Sequence, residues 1–165
     1  MTQGKAHGRD RAYQIHCRDV LRYKYPGFSP YSGDGIDVPF TVQGGTTWTI
    51  DVALRNSRGA LLFAECRRRK EPPKQEAVAA FAYKIELLRK DFGVPVAGAF
   101  LSKRRPQLGA VKAAQFEGIV VAELLEGSIS EGFSMAFHRY DFEREKRLRD
   151  FTLKVETGQY TLSLL

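Results

Sequence analysis

Two acids set inside strand-like apolar stretches are the residues best placed to do chemistry. Asp51 lies in Thr49-Ile50-Asp51-Val52-Ala53-Leu54, and Glu65 in Leu62-Phe63-Ala64-Glu65-Cys66-Arg67. Val, Ile, Leu and Phe around a single acid mark each stretch as a strand, and Ser57-Arg58-Gly59 supplies the turn between them. A carboxylate inside such a strand is costly to bury unless another charge offsets it. Two antiparallel neighbours, each with one acid near its middle, can aim both carboxylates at one point, which is how oxygen ligands assemble around a hard cation. Arg67 follows Glu65 by two positions, so strand alternation puts its side chain on the same face. The competing reading is structural, with Asp51 and Glu65 each answering an arginine, Arg67 or Arg55, in an ion-pair network.

The elements that must position these acids follow from periodicity. Residues 9 to about 25 read as a helix with Tyr13, Cys17, Val20 and Leu21 on one stripe and Pro26-Gly27 as its stop. After the turn cluster Tyr31-Ser32-Gly33-Asp34-Gly35 come strands at about 36–42, 47–55 and 60–68, joined by short turns. Pro72-Pro73 ends the extended part. From Lys74 to Phe92 the residues Val78, Phe81, Ile85, Leu88 and Phe92 recur at steps of three and four, an amphipathic helix closed by Gly93. Val94 to Leu101 reads as a well-covered apolar strand, Leu108 to Phe116 as a short helix, and Gly118 to Ala122 as a further strand. Three meandering strands joined through a crossover helix to more strands imply a mixed α/β sheet with helices on its faces. Farther on, Phe142 to Phe151 suggests a charged helix and Tyr160 to Leu164 a last strand.

With 165 residues, 43% hydrophobic and 27% charged, the chain has the size and composition of one globular domain. Residues 1–8 are expected to be disordered and residues 125–165 to form a C-terminal extension. No apolar run approaches the roughly 20 residues of a membrane span, and the N-terminus lacks the apolar core of a secretory signal, so no membrane partner is expected. Cys17 and Cys66 are the only cysteines, without metal-type spacing, and read as packed free thiols in a reducing, cytoplasmic setting. His7, His16 and His138 have no partner at ligand spacing and read as ordinary histidines. The net charge of +7, with clusters at Arg67-Arg68-Arg69-Lys70, Lys103-Arg104-Arg105 and Arg144 to Arg149, points to a polyanionic partner, most commonly nucleic acid. Lys103, Arg104 and Arg105 follow a strand end and read as phosphate-backbone contacts. No RNP-type aromatic motif favours RNA.

The element order αβββαβ, with Ile50-Asp51 in the second strand and Glu65-Cys66-Arg67 in the third before a basic stretch, a proline pair and a helix, resembles the PD-(D/E)XK nuclease superfamily, in its restriction-endonuclease-like, Mrr-type form. The resemblance covers residues 9 to 124. It implies a DNA endonuclease acting in genome defence or DNA repair, with Mg2+ as cofactor and Mn2+ as a substitute. Asp51, Glu65 and the main-chain carbonyl of Cys66 would hold the metal. A homodimer, or a place as partner subunit in a larger complex, is a further implication. Two positions depart from the family pattern. Arg67 stands where the family has lysine, and arginine can hold a phosphate but is a poor base. Gln14, after Tyr13, stands where many relatives carry a first-helix glutamate. Lys84 on the crossover helix is a possible substitute lysine, although a solvated flank is the plainer reading, and Gln75 could donate a hydrogen bond into the site. Asp37, in Gly35-Ile36-Asp37, rivals Asp51 because Mrr-type proteins often carry their aspartate in that context; the single-hairpin spacing favours Asp51. The departures also leave room for a catalytically inactive relative that binds DNA or docks to a larger complex.

Overall fold

The computed structural model describes residues 3–117 and 119–125. The helix and strand expected around residues 142–151 and 160–164 lie outside the described residues, as does His138.

Helix α1 spans Gln3–Lys24 and buries the expected stripe of Tyr13, Cys17, Val20 and Leu21. It starts before residue 9 and takes in residues 3–8, which the sequence suggests as a disordered tail. Strand β1, Phe28–Pro30, is a three-residue piece with no periodic pattern of its own. Strands β2 (Ile36–Thr41), β3 (Thr47–Asn56) and β4 (Leu61–Arg67) form the expected meander. Helix α2 (Gln75–Phe92), strand β5 (Val96–Ser102), helix α3 (Leu108–Glu117) and strand β6 (Ile119–Glu123) complete the described chain.

All six strands belong to one mixed sheet, in the order β1-β3-β4-β5-β6 with β2 also on β3. Strands β1 and β2 lie end to end along the side of β3 away from β4: β1 pairs with Leu54 to Asn56, and β2 with Thr47 to Val52. Having one neighbour only among the described residues, β2 tolerates Pro39, whose missing N–H would break a central ladder. The β3–β4 pair is antiparallel, whereas β4–β5 and β5–β6 are parallel and connected through α2 and α3. Among the described residues no helix is long and apolar enough to cross a membrane.

Each sheet face carries its own core. On one, α1 packs Tyr13, Cys17, Val20 and Leu21 against Val52, Leu54, Leu62, Ala64, Ala99 and Leu101. On the other, α2 and α3 pack Val78, Phe81, Ile85, Leu88, Ala110 and Ala114 against Ile50, Phe63, Val96 and Phe100. Fully buried Phe63, Phe81 and Phe100 each contribute about 1.5–3 kcal/mol through apolar area removed from water. All seven residues of β5 are buried, as expected of a strand covered on both sides. Gly98 lets α2 approach this closely: a Cβ there would lie 2.6 Å from Ile119 Cδ1 and 3.1 Å from Ile85 Cγ1.

Candidate functional site

The two acids meet where the sheet forks. The β3–β4 ladder runs from Arg55↔Leu61 to Val52↔Ala64, and Asp51 and Glu65 are the next residues outward. Beyond that point β4 continues against β5, pairing Glu65 with Phe100, Cys66 with Leu101 and Arg67 with Ser102. The Cys66 N–H, facing the opening, donates to Asp51 Oδ2 at 2.7 Å, so a carboxylate replaces a main-chain acceptor at the fork.

Strand β3 also swivels here. Ile50 belongs to the core under α2, whereas Val52, two residues on, belongs to the core under α1, so strict alternation fails across Asp51. The partner strand does the same: Ile36 lies under α1 and Val38 under α2, and Asp37 between them has φ 50°, in the left-handed region. Gly35 makes the entry to this segment possible, since at φ 77° a Cβ would lie 3.0 Å from the Ala53 carbonyl oxygen and 3.1 Å from Pro30 Cβ. Asp37 is thus turned toward Asp51. Gln14 of α1 spans the two, donating from Nε2 to Asp37 Oδ1 at 2.8 Å and hydrogen-bonding Asp51 as well. Arg11 Nη1 lies 3.5 Å from Asp37 Oδ2 and Arg11 Nη2 2.7 Å from Asp34 Oδ2, tying α1 to the β2 entry. Asp37 is therefore a member of the acidic group beside Asp51, not a replacement for it.

Glu65 lines the same cleft from the α2 side and meets cations. Arg67 Nη2 lies 2.7 Å from Glu65 Oε1, the same-face pairing that alternation predicts, and Lys84 Nζ of α2 lies 3.8 Å from Glu65 Oε2. Glu65 is 7% exposed, so this is a largely desolvated cluster. The structural ion-pair reading is therefore met for Glu65 and Arg67; Arg55 instead sits over the Tyr31 ring, 5.7 Å from its centroid. Lys84, which sequence spacing leaves on the flank of the helix, is directed into the site.

Burial, the charge of Glu65 and, more weakly, that of Asp37 push the Asp51 carboxyl up to about 6, against the opposing pull of the hydrogen bonds from Cys66 and Gln14. The Cys66 thiol is pushed well above its ordinary range by burial, a hydrogen bond with the Cys17 thiol and the nearby acids, which makes it a poor nucleophile. Both cysteines are free.

A polar cleft of about 320 Å³ opens over the fork, lined by Asp10 and Gln14 of α1, Asp51 of β3, and Glu65, Cys66, Arg67, Arg68 and Arg69. Arg68 Nη1 lies 3.8 Å from Asp10 Oδ1 on its rim. The Lys103 N–H donates to the Arg67 carbonyl at 2.9 Å, so the loop of half-buried Lys103 and exposed Arg104 and Arg105 leaves the same end of the sheet as Arg68 and Arg69. Lys70 is exposed beyond the end of β4. Gln75 does not enter the site: its Oε1 lies 3.1 Å from where a Cβ on Gly109 would be, against α3. His16 Nε2 is 3.0 Å from the Leu125 carbonyl oxygen, an ordinary packed histidine.

Among the described residues no three His, Cys, Asp or Glu side chains converge in a way that could hold a metal ion. A zinc-type cage does not fit. Two carboxylates on a polar cleft, one of them with its ionisation opposed by the other, do fit a magnesium-like ion, which needs only one or two carboxylates and keeps several waters.

Sequence reasoning passes over Asp10, Arg11 and Trp48. The first two stand on the solvent side of α1, where a charge carries no periodic signal. Trp48, on β3, is reached only through Lys84, whose ammonium lies 5.4 Å from the indole centroid.

No protein-family model matches the chain, and no curated protein matches it. Solved structures do. A repair endonuclease from Pyrococcus abyssi superimposes with a TM-score of 0.50 at 22% identity, over 66% of this chain and 46% of that one. A crystal structure of a protein of unknown function superimposes with a TM-score of 0.58 at 15% identity, over 92% of this chain and 90% of that one. The EndoMS complex with double-stranded DNA gives 0.48 at 22% identity, over 70% and 45% of the respective chains. The chain thus spans less than half the length of the endonuclease chains it matches. The six-stranded mixed sheet flanked by helices is a fold that this chain shares with a repair endonuclease.

Proposed function

We propose that the protein is a metal-dependent DNA endonuclease of the PD-(D/E)XK superfamily, in its Mrr-type form, acting in genome defence or DNA repair. The observation that carries this reading is the convergence of Asp51 and Glu65 at the β3–β4 fork, under a cleft rimmed by arginines. The fold shared with a repair endonuclease supports the same assignment.

The Asp51 and Glu65 carboxylates and the Cys66 main-chain carbonyl would hold a magnesium or manganese ion. Once bound, that ion would polarise the phosphate and make water a better nucleophile. The chain's own groups do the rest. Arg67 and Lys84, both held at Glu65, offset the extra negative charge that the phosphate gains as water attacks. Gln14, anchored by Asp37, fixes the Asp51 carboxylate through its amide N–H groups and leaves its side-chain carbonyl oxygen to orient water. Arg67 stays protonated and cannot take a proton from that water. Arg68, Arg69, Lys70, Lys103, Arg104 and Arg105 track the DNA backbone from one end of the sheet. Cutting both strands would call for a second copy of the chain or a partner subunit.

One observation favours a second reading, an inactive relative that binds DNA. Arg67 Nη2 already occupies Glu65 Oε1 at 2.7 Å, and arginine replaces the lysine of active relatives.

Incubation of supercoiled plasmid with the purified protein and magnesium or manganese separates the two. Nicking that is lost in Asp51→Ala supports the nuclease, and Arg67→Lys should then raise the rate. Without reference to activity, millimolar magnesium should raise the melting temperature of the wild type at pH 8 but not that of Asp51→Ala. DNA binding with neither cleavage nor a metal-induced shift would leave the inactive relative standing.

A further inference from the structure

The Lys84 ammonium touches more than the acids. It lies 3.8 Å from Glu65 Oε2 and 5.4 Å from the Trp48 ring centroid, so one cation joins the site to an aromatic patch. Tyr83, the next residue on α2, is 60% exposed, and its ring stands nearly perpendicular to that of Trp48, 77° between planes and 6.4 Å between centroids. The expected apolar stripe of α2 turns elsewhere, with Val78, Phe81, Ile85 and Leu88 all buried, so the Tyr83 ring is surplus to the core. Among the described residues the enclosed indole N–H of Trp48 has no hydrogen-bond partner, so no such bond sets the ring's position beside Lys84. The result is an aromatic corner, exposed at Tyr83, that the Lys84 ammonium joins to Glu65 of the acidic fork.

We infer that Tyr83, backed by Trp48, receives an unpaired base of the strand whose phosphate lies at Asp51 and Glu65. Two features point to a nucleobase. An aromatic face matches the π-face that every base carries, and Lys84 adds charge complementarity to the neighbouring phosphate. In a regular duplex each base is already stacked between its neighbours, so only an unpaired nucleotide is free to use this surface. This inference rests on the nuclease reading and narrows its substrate to DNA with unpaired nucleotides near the cut, such as flaps, gaps or single strands.

Binding measured without metal tests it. Trp48 is the only tryptophan, so its fluorescence reports on this corner alone. Titration of the full chain in chelator with single-stranded, flapped and fully paired DNA should quench Trp48 with the first two. Tyr83→Ala should weaken those two by about tenfold, the scale of one lost base–aromatic stack, and should leave the fully paired duplex within about twofold. Tyr83→Phe should bind like the wild type, since the ring and not the hydroxyl does the stacking. Equal effects of Tyr83→Ala on paired and unpaired DNA, or no effect on either, would overturn the inference while leaving the nuclease reading intact. No binding to any DNA would overturn both.

Discussion

Asp51 and Glu65 are adjacent across one sheet, yet the molecule treats them differently. Glu65 lies on the α2 side with Arg67 at 2.7 Å and Lys84 at 3.8 Å, and its charge is answered from within the fold. Asp51 faces α1 and is held by neutral donors, the Cys66 N–H and Gln14, with Asp37 as a second acid beside it. One carboxylate serves as a structural anchor and the other is left with charge to spare. The spare charge marks the side of the fork where an added cation gains most, because it relieves a repulsion the fold itself leaves in place.

Removing the anchor should have the largest destabilising effect. Glu65→Ala strands two cations that are only partly solvated, Arg67 at 32% and Lys84 at 22% side-chain exposure, and should cost about 3 kcal/mol in urea unfolding. A loss below about 1 kcal/mol would erase the contrast between the two acids.

The opposite sign is expected at Asp51. Its carboxyl is raised from 3.8 to about 6, so folding favours the protonated form. The stability it contributes is fully present below about 4 and is lost as pH rises through about 6. Asp51→Asn should therefore stabilise the metal-free protein by about 3 kcal/mol at pH 8 and by less than about 1 kcal/mol at pH 4. Unfolding curves of both proteins across that range would show a difference that grows with pH; a flat difference would mean that Asp51 is not strained by its neighbours.

The smallest effect sharpens the comparison. Lys84→Met removes the longer and more loosely held of the two pairs at Glu65 and should change stability by less than about 1 kcal/mol. Its influence on plasmid nicking, if larger than that, would separate a role toward phosphate from a role in the fold.

Local pattern was enough for much of this architecture. The stripe of Val78, Phe81, Ile85 and Leu88 on α2, the buried run of β5 and the same-face pairing of Glu65 with Arg67 all follow from periods of 3.6 and 2 that a reader can count. Strand β1 is invisible to counting, because three residues ending in proline have no period; they pair only because the β2 ladder ends at Val52 and leaves Leu54 to Asn56 open on that side of β3. Lys84 illustrates a different limit. Helical spacing places it beside the apolar stripe, where solvent and site look alike, and only the packing of α2 on the sheet turns it toward Glu65.

The Asp37 case is the clearest. Regular alternation along β2 and β3 would not predict the swivel that turns both strands over at Asp37 and Asp51, since it depends on a left-handed residue and on Gly35 fitting under the Ala53 carbonyl. By itself the sequence determined which residues carry charge, which strands hold them and which helix covers them, because these follow from interactions between near neighbours along the chain. Only the tertiary structure decided that Asp37 joins the site, that Gln14 bridges two acids, and that Glu65 is paired with cations while Asp51 is held by neutral donors. Those outcomes depend on distances between residues far apart in sequence, fixed where the β3–β4 ladder opens and two separate cores meet across one sheet.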